Sequence, residues 1–197
     1  MFIGGGQDFE QQVLLADLHR GKDKEIKAAI EDGIPFLTIC GGYQMLGTSV
    51  SDPDQVEAAG VTEIAGMGLL DMDTVFRGDK VQTQTRGVFA GVTGMLENLN
   101  GLSYEGYEIH MGRSQEERPP LTGKGNVYGS YIHGVFDAPE VADTILRAVC
   151  RQKGLDFSAL ETYDAFEYKE RQYDLLADAV RQGLDMELVY RILNREV

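Results

Sequence analysis

Between Lys22 and Glu31 the apolar residues Ile26, Ala29 and Ile30 fall on one helical face, and Gly33 stands where a glycine usually follows a helix end. The pattern then changes. Ile34 to Ile39 is a short apolar run rich in β-branched and aromatic residues, which predicts a strand covered on both faces. Gly41-Gly42 turns the chain into Tyr43-Gln44-Met45-Leu46, a predicted helix, while Phe2-Ile3 reads as a strand stub ahead of Gly4-Gly5-Gly6. Strand, helix, strand, helix in this rhythm predicts an α/β domain with a mostly parallel sheet flanked by helices. From Thr48 to Gly129 turn signals are denser. Gly66 to Leu70, Val88 to Val92, Tyr104 to His110 and Val127 to Ile132 read as strands, and Arg118-Pro119-Pro120 as a loop. Pro139 to Gln152 carries Val141, Ile145, Leu146 and Val149 on one stripe and predicts a helix. Tyr168 to Leu193 is a second helical stretch, broken near Gly183. The expected division is residues 1–153 as the α/β domain and 154–197 as its helical C-terminal extension.

Composition narrows the function classes. Hydrophobic residues make up 43% and charged residues 25%, ordinary for a water-soluble fold. The formal net charge of -14 disfavours nucleic acid and anionic membranes as partners. No run of about 18 apolar residues predicts a membrane span, and the first residues predict no signal peptide, so the expected setting is cytoplasmic. The two cysteines form no CxxC pair and the three histidines complete no zinc spacing, so no metal site is expected. A reducing compartment disfavours a Cys40–Cys150 disulfide. Cys150 sits on the apolar stripe of its helix and reads as core.

The chemistry concentrates at Thr38-Ile39-Cys40-Gly41-Gly42-Tyr43-Gln44. A cysteine between a buried strand and a helix, followed at once by two glycines, is the cysteine form of a nucleophile elbow. The turn raises the side chain above the sheet, the helix start favours a thiolate, and the Gly41 N–H is placed to hold an oxyanion. A nucleophilic cysteine needs a base. His133, in Ser130-Tyr131-Ile132-His133-Gly134, also follows a short apolar strand and precedes a glycine. Active sites of open parallel sheets collect at the carboxyl ends of strands, an edge that Cys40 and His133 would share. His110 is the competing candidate, as pocket residue or as structural residue; His19 reads as surface. The loop Gly4 to Gly6 offers a second oxyanion donor, Gly5 or Gly6, or is a plain turn. A phosphate cradle is disfavoured because no P-loop or dinucleotide fingerprint accompanies it.

These motifs resemble the glutamine amidotransferases of the cobyric acid synthase group, which includes the amidotransferase subunit of lipid II isoglutaminyl synthase. The resemblance rests on the glycine loop, Ile39-Cys40-Gly41-Gly42-Tyr43-Gln44-Met45-Leu46-Gly47, Gly68-Leu69-Leu70, Gly106-Tyr107-Glu108-Ile109-His110-Met111-Gly112 and Tyr131-Ile132-His133-Gly134. It implies a class I amidotransferase-like, flavodoxin-like fold. It also implies a glutaminase whose ammonia feeds an ATP-dependent synthetase domain or subunit, with ATP and Mg bound by that partner and no cofactor in this chain. Cobyric acid synthesis is the first expectation. Lipid II amidation and an inactive scaffold of the same fold are the alternatives. The resemblance makes Cys40 the nucleophile and His133 its base, and places Gln44, Arg86, Glu108 and His110 on the substrate side. Where wider triad amidotransferases carry a glutamate two residues after the histidine, this chain has Val135, so a Cys–His dyad is expected, with the ring oriented by another group. Phe2 to Gly47 is closer to the isoglutaminyl branch and the chain from about Ser51 to cobyric acid synthase. In the family a strand–helix–strand segment precedes the glycine loop, so the domain is expected to be N-terminally truncated, with an open sheet edge.

Overall fold

The computed structural model describes residues 2–3, 23–57, 62–114, 119–159 and 165–196; the glycine loop with Gly5, and also His19, Lys22 and Arg118, lie outside them. Chain order is β1 (Phe2–Ile3), α1 (Asp23–Glu31), β2 (Phe36–Ile39), α2 (Gly41–Met45), β3 (Ser49–Ser51), β4 (Glu63–Ala65) and β5 (Asp73–Val88). A 3-10 helix (Gly94–Leu99), β6 (Ser103–Arg113), β7 (Thr122–Lys124), β8 (Val127–Ser130) and α3 (Pro139–Lys153) follow, then a 3-10 turn (Phe157–Ala159), α4 (Ala165–Gly183) and α5 (Met186–Leu193).

The apolar run before Cys40 is an inner strand. One sheet has the order β1-β2-β8-β7; β2 lies parallel to β1 and to β8, from Phe36 opposite Val127 to Ile39 opposite Ser130, and β7 returns antiparallel to β8. Successive residues of β2 enter different cores, which is why the run does not alternate with polar residues. Leu37 packs with Tyr128, Ile132, Val141 and Ile145, on the side of α3. Phe36 packs with Tyr43, Leu46, Met67 and Val127, with Ile26 and Ile30 of α1 against them. The Asn126 side-chain amide donates to the carbonyls of Ile30 and Ile34 at 2.9 and 2.8 Å, fixing the α1–β2 turn to the start of β8.

A second sheet, β4-β3-β5-β6, joins β3 to β4 and β5 to β6 antiparallel and β3 to β5 parallel. The hydrophobic pattern predicts its last strand and is silent on β5, whose residues beyond Phe76 are mostly polar and exposed. Two expected strands are corrected. Gly66 to Leu70 forms no strand: the N–H groups of Met67, Gly68 and Leu69 donate to the carbonyls of Met45, Gly47 and Leu46. The segment thus closes the end of α2 instead of joining a ladder, with Gly68 at φ 64° making the turn. Beyond Val88 the chain leaves the sheet, and Phe89 and Val92 turn into the α3-side core.

The chain divides into two compact units, Met1–Ala159 and Leu160–Val197. The first continues past residue 153 because Leu155 N–H closes the end of α3 on the Cys150 carbonyl, and the Arg147 guanidinium stacks 3.9 Å from the Phe157 ring centre. In the second, α4 ends at Gly183 as the pattern predicts, and the Asp185 carboxylate caps α5 by accepting the Leu188 N–H at 3.0 Å. No helix among the described residues is long and apolar enough to cross a membrane.

Candidate active site

Cys40 stands between β2 and α2 with φ 52° and ψ −112°. Positive φ is strained for any residue with a Cβ, at a cost on the order of 1–3 kcal/mol. Both sides of the turn hold it there. Cys40 N–H donates to the Ser130 carbonyl of β8 at 2.8 Å, and its own carbonyl accepts the Gln44 N–H at 3.0 Å. The first turn of α2 seats on β8 because Gly129 has no side chain: a Cβ there would stand 2.1 Å from the Tyr43 ring. Tyr43 is fixed in turn by its hydroxyl, 2.9 Å from that of Thr122, and by an edge-on contact with Tyr131 at 5.1 Å. The sequence pattern of strand, cysteine and two glycines therefore folds as a nucleophile elbow.

The Cys40 sulfur lies 3.8 Å from the Ile109 carbonyl of β6. Burial pushes its thiol up from the ordinary value; the Gly41 N–H bonded to it opposes this, and the carboxylates of Glu57 and Glu108 add to it. Glu57 is held by the loop after β3, where the buried Asp52 carboxylate accepts the N–H groups of Val56 and Glu57, each at 2.8 Å.

His133 follows β8 and meets the same strand β6. It forms an antiparallel bridge with Tyr107: His133 N–H donates to the Tyr107 carbonyl at 2.8 Å and Tyr107 N–H to the His133 carbonyl at 3.1 Å. The two rings stack, with centroids 4.9 Å apart and planes 6° from parallel. His133 Nε2 is buried without a hydrogen-bond partner among the described residues. Burial first, and repulsion from His110 second, hold the imidazole below its ordinary value. Cys40 and His133 thus leave neighbouring parallel strands at the same end, and both rest on the stretch of β6 from Tyr107 to Ile109. Burial thus disfavours the thiolate at Cys40 and the imidazolium at His133.

Beneath them is a closed polar layer. His110 is buried, with Nδ1 2.7 Å from the Gly112 carbonyl, Nε2 3.0 Å from Glu108 Oε2, and its ring stacked on Tyr131 at 3.8 Å. The Tyr131 hydroxyl bonds Ser114 at 2.5 Å and is also bonded by Gln44; burial raises its pKa to about 12. These bonds tie β6 to Tyr131 and Gln44 through a connected polar network.

Residues 1–141 match the CobB/CobQ-like glutamine amidotransferase domain. The chain belongs to that family. The chain is 42% identical to the cobyric acid synthase of Ruminiclostridium cellulolyticum over 182 residues, 83% of this chain and 35% of that protein. It is 41% identical to the cobyric acid synthase of Lachnoclostridium phytofermentans over 197 residues, 87% of this chain and 38% of that one. The chain therefore spans little more than a third of the length of these relatives. A solved glutamine amidotransferase matches 78% of both chains at 15% identity, with a TM-score of 0.45.

The structure brings Cys40, Gly41, Gln44, Glu108, His110 and His133 to one end of the first sheet and the adjoining part of β6. Gly5 lies outside the described residues. Arg86 is exposed on β5 opposite Glu105, and is a diagonal neighbour of Tyr107, which pairs with Gln84. Gln44 and His110 have polar atoms engaged within the protein. Cys150 is a buried free thiol in α3, and no disulfide joins it to Cys40. Sequence reasoning missed Glu57 as a neighbour of Cys40 and Tyr107 as a neighbour of His133. Strict alternation along Gly106 to Gly112 could have separated Tyr107 and Ile109 from Glu108 and His110.

Proposed function

We propose that this domain hydrolyses glutamine through a Cys40–His133 dyad and delivers the ammonia to an ATP-dependent synthetase that amidates carboxylates in cobyric acid synthesis. The observation that carries the reading is the strained elbow at Cys40 with a neutral, sparsely bonded imidazole on the next strand, in a chain of this family. His133 takes the thiol proton as the sulfur attacks the side-chain amide carbon of glutamine. The C–N bond breaks, the proton leaves with ammonia, and a γ-glutamyl thioester remains. Water, deprotonated by His133, then splits the thioester; glutamate departs and the proton returns to sulfur.

The developing oxyanion is received by the Gly41 N–H and by the glycine loop at Gly5. Arg86 takes the α-carboxylate of glutamine and Glu108 faces the α-ammonium, while Gln44 and His110 hold that wall in place. ATP and Mg belong to the synthetase, and the choice of acceptor to it as well. The length of the cobyric acid synthases relative to this chain supports a synthetase portion as partner.

The test is a glutaminase assay of the chain alone and with an ATP-dependent cobyric acid synthetase, together with mass mapping of a glutamine-like electrophile. The expected result is labelling of Cys40, sparing of Cys150, and loss of activity in Cys40→Ser. Labelling of Cys150 in its place, or a fully active Cys40→Ser, overturns the assignment.

A further inference from the structure

We infer that the face of Tyr107, held in place by Gly106, is the group that orients His133 and steadies its charged form, in the role a carboxylate plays in a catalytic triad. This rests on the reading of Cys40 and His133 as the reacting pair.

A histidine that shuttles a proton needs two things from its surroundings: a fixed ring, and stabilisation of the imidazolium while it carries the proton. At the position two residues after the histidine this chain has Val135, which is buried in the α3-side core and offers neither. Among the described residues no ion pair reaches the His133 ring. Tyr107 supplies both needs from another strand. The paired backbone bonds of the bridge fix the main chain of His133, and the near-parallel stack at 4.9 Å fixes the plane of its ring. An aromatic face within about 6 Å attracts a cation, so the same contact favours the imidazolium over the neutral ring at the moment it forms. His110 opposes a positive charge on His133, the exposed Arg86 lies diagonal to Tyr107 across the β5–β6 ladder, and Glu57 and Glu108 act on Cys40.

Gly106 makes the contact available. A Cβ at that position would stand 2.1 Å from the His133 carbonyl oxygen and 2.6 Å from Ile132 Cγ2, so any side chain would drive β6 away from His133. Tyr107 itself is 47% exposed, and its hydroxyl has no role in the inference. A buried packing residue would be more enclosed; this ring covers one face of His133 and leaves its own other side open.

The experiment follows the pH dependence of Cys40 alkylation by iodoacetamide in the full chain, for the wild type and for His133→Ala, Tyr107→Leu, Tyr107→Ala and Tyr107→Phe. The product is mapped by mass. Cys150, only 4% exposed, reports folding: it stays unlabelled in any variant that retains the native core. The expected result is that His133→Ala abolishes the His-dependent limb of the profile. Tyr107→Leu and Tyr107→Ala slow alkylation on that limb about 5–50-fold, and Tyr107→Phe, which keeps the flat face, recovers most of the rate. A Tyr107→Leu profile equal to wild type, beside an altered His133→Ala profile, overturns the inference and leaves the dyad standing. A Tyr107→Phe variant as slow as Tyr107→Leu also overturns it, because the hydroxyl and not the face would then matter. A His133→Ala profile identical to wild type overturns the dyad itself.

Discussion

Gly129→Ala adds a single methyl group at the point where α2 rests on β8, and its consequence follows from the geometry. The new carbon would stand 2.1 Å from Tyr43 Cδ2 and 2.9 Å from Cγ, with Tyr43 only 4% exposed. Two responses are open. The ring stays and the overlap is absorbed as strain, about 1–3 kcal/mol for an overpacked core. Or the ring moves and loses its hydrogen bond to Thr122 and its edge contact with Tyr131, each contributing about 0.5–1.5 kcal/mol. These are alternatives and not a sum, so the expected loss is about 1–3 kcal/mol, or a Tm lower by about 2–12 °C. The chain has no tryptophan, so far-UV circular dichroism in urea is the assay. Gly78→Ala is the control: nothing lies within 4 Å of a Cβ there, and the change is expected to be neutral to about 1 kcal/mol stabilising. In a Tyr43→Leu background the cost of Gly129→Ala shrinks, because the two positions are coupled. A Gly129→Ala protein within about 0.5 kcal/mol of wild type, or with the same cost in both backgrounds, refutes this account of the elbow.

Tyr128→Phe removes a buried hydroxyl that accepts the Leu96 N–H at 3.1 Å and lies 2.8 Å from the carbonyls of Thr93 and Gly125. The loss is expected to be about 1–3 kcal/mol by urea titration. On the proposed dyad, the rate of Cys40 modification by a glutamine-like electrophile follows the neutral form of His133. Burial and His110 hold that imidazole below its ordinary value of about 6.5, so the rate persists as pH falls through that value and is lost only further into acid. An acid limb centred above the ordinary value contradicts the burial of the ring. Glu57→Gln removes a negative charge that raises the Cys40 thiol, so thiolate-dependent alkylation shifts to lower pH; an unmoved profile means the Glu57 carboxylate does not act on the sulfur.

The elbow was legible because every layer of sequence signal agreed there: an apolar run ended at Cys40, and two glycines marked the turn. The buried strand ahead of His133 was legible from its apolar run, although it ends at Ser130 and not at Ile132. The helix of Val141 and Ile145 followed from its stripe. The second sheet was mostly illegible, since β5 beyond Phe76 places Gln82, Thr83, Gln84 and Thr85 in a ladder whose two faces are both largely exposed. Periodicity of hydrophobicity carries no information where neither face is buried; the β-branched Val81, Thr83 and Thr85 were the remaining hint. Gly66 to Leu70 misled because its apolar residues serve a core, but its N–H groups were already claimed by the end of α2. The pairing of Tyr107 with His133 depends on how β6 meets the first sheet, which local pattern does not specify.

The backbone at Cys40 also shapes how this chain can drift. At φ 52° and ψ −112° the residue that sits without strain is glycine, and Cys40→Gly would relax the turn while erasing the thiol. The least costly route to a better-settled fold at this position is therefore loss of chemistry. Wherever ammonia release ceased to matter, random substitution would run toward a relaxed and silent domain.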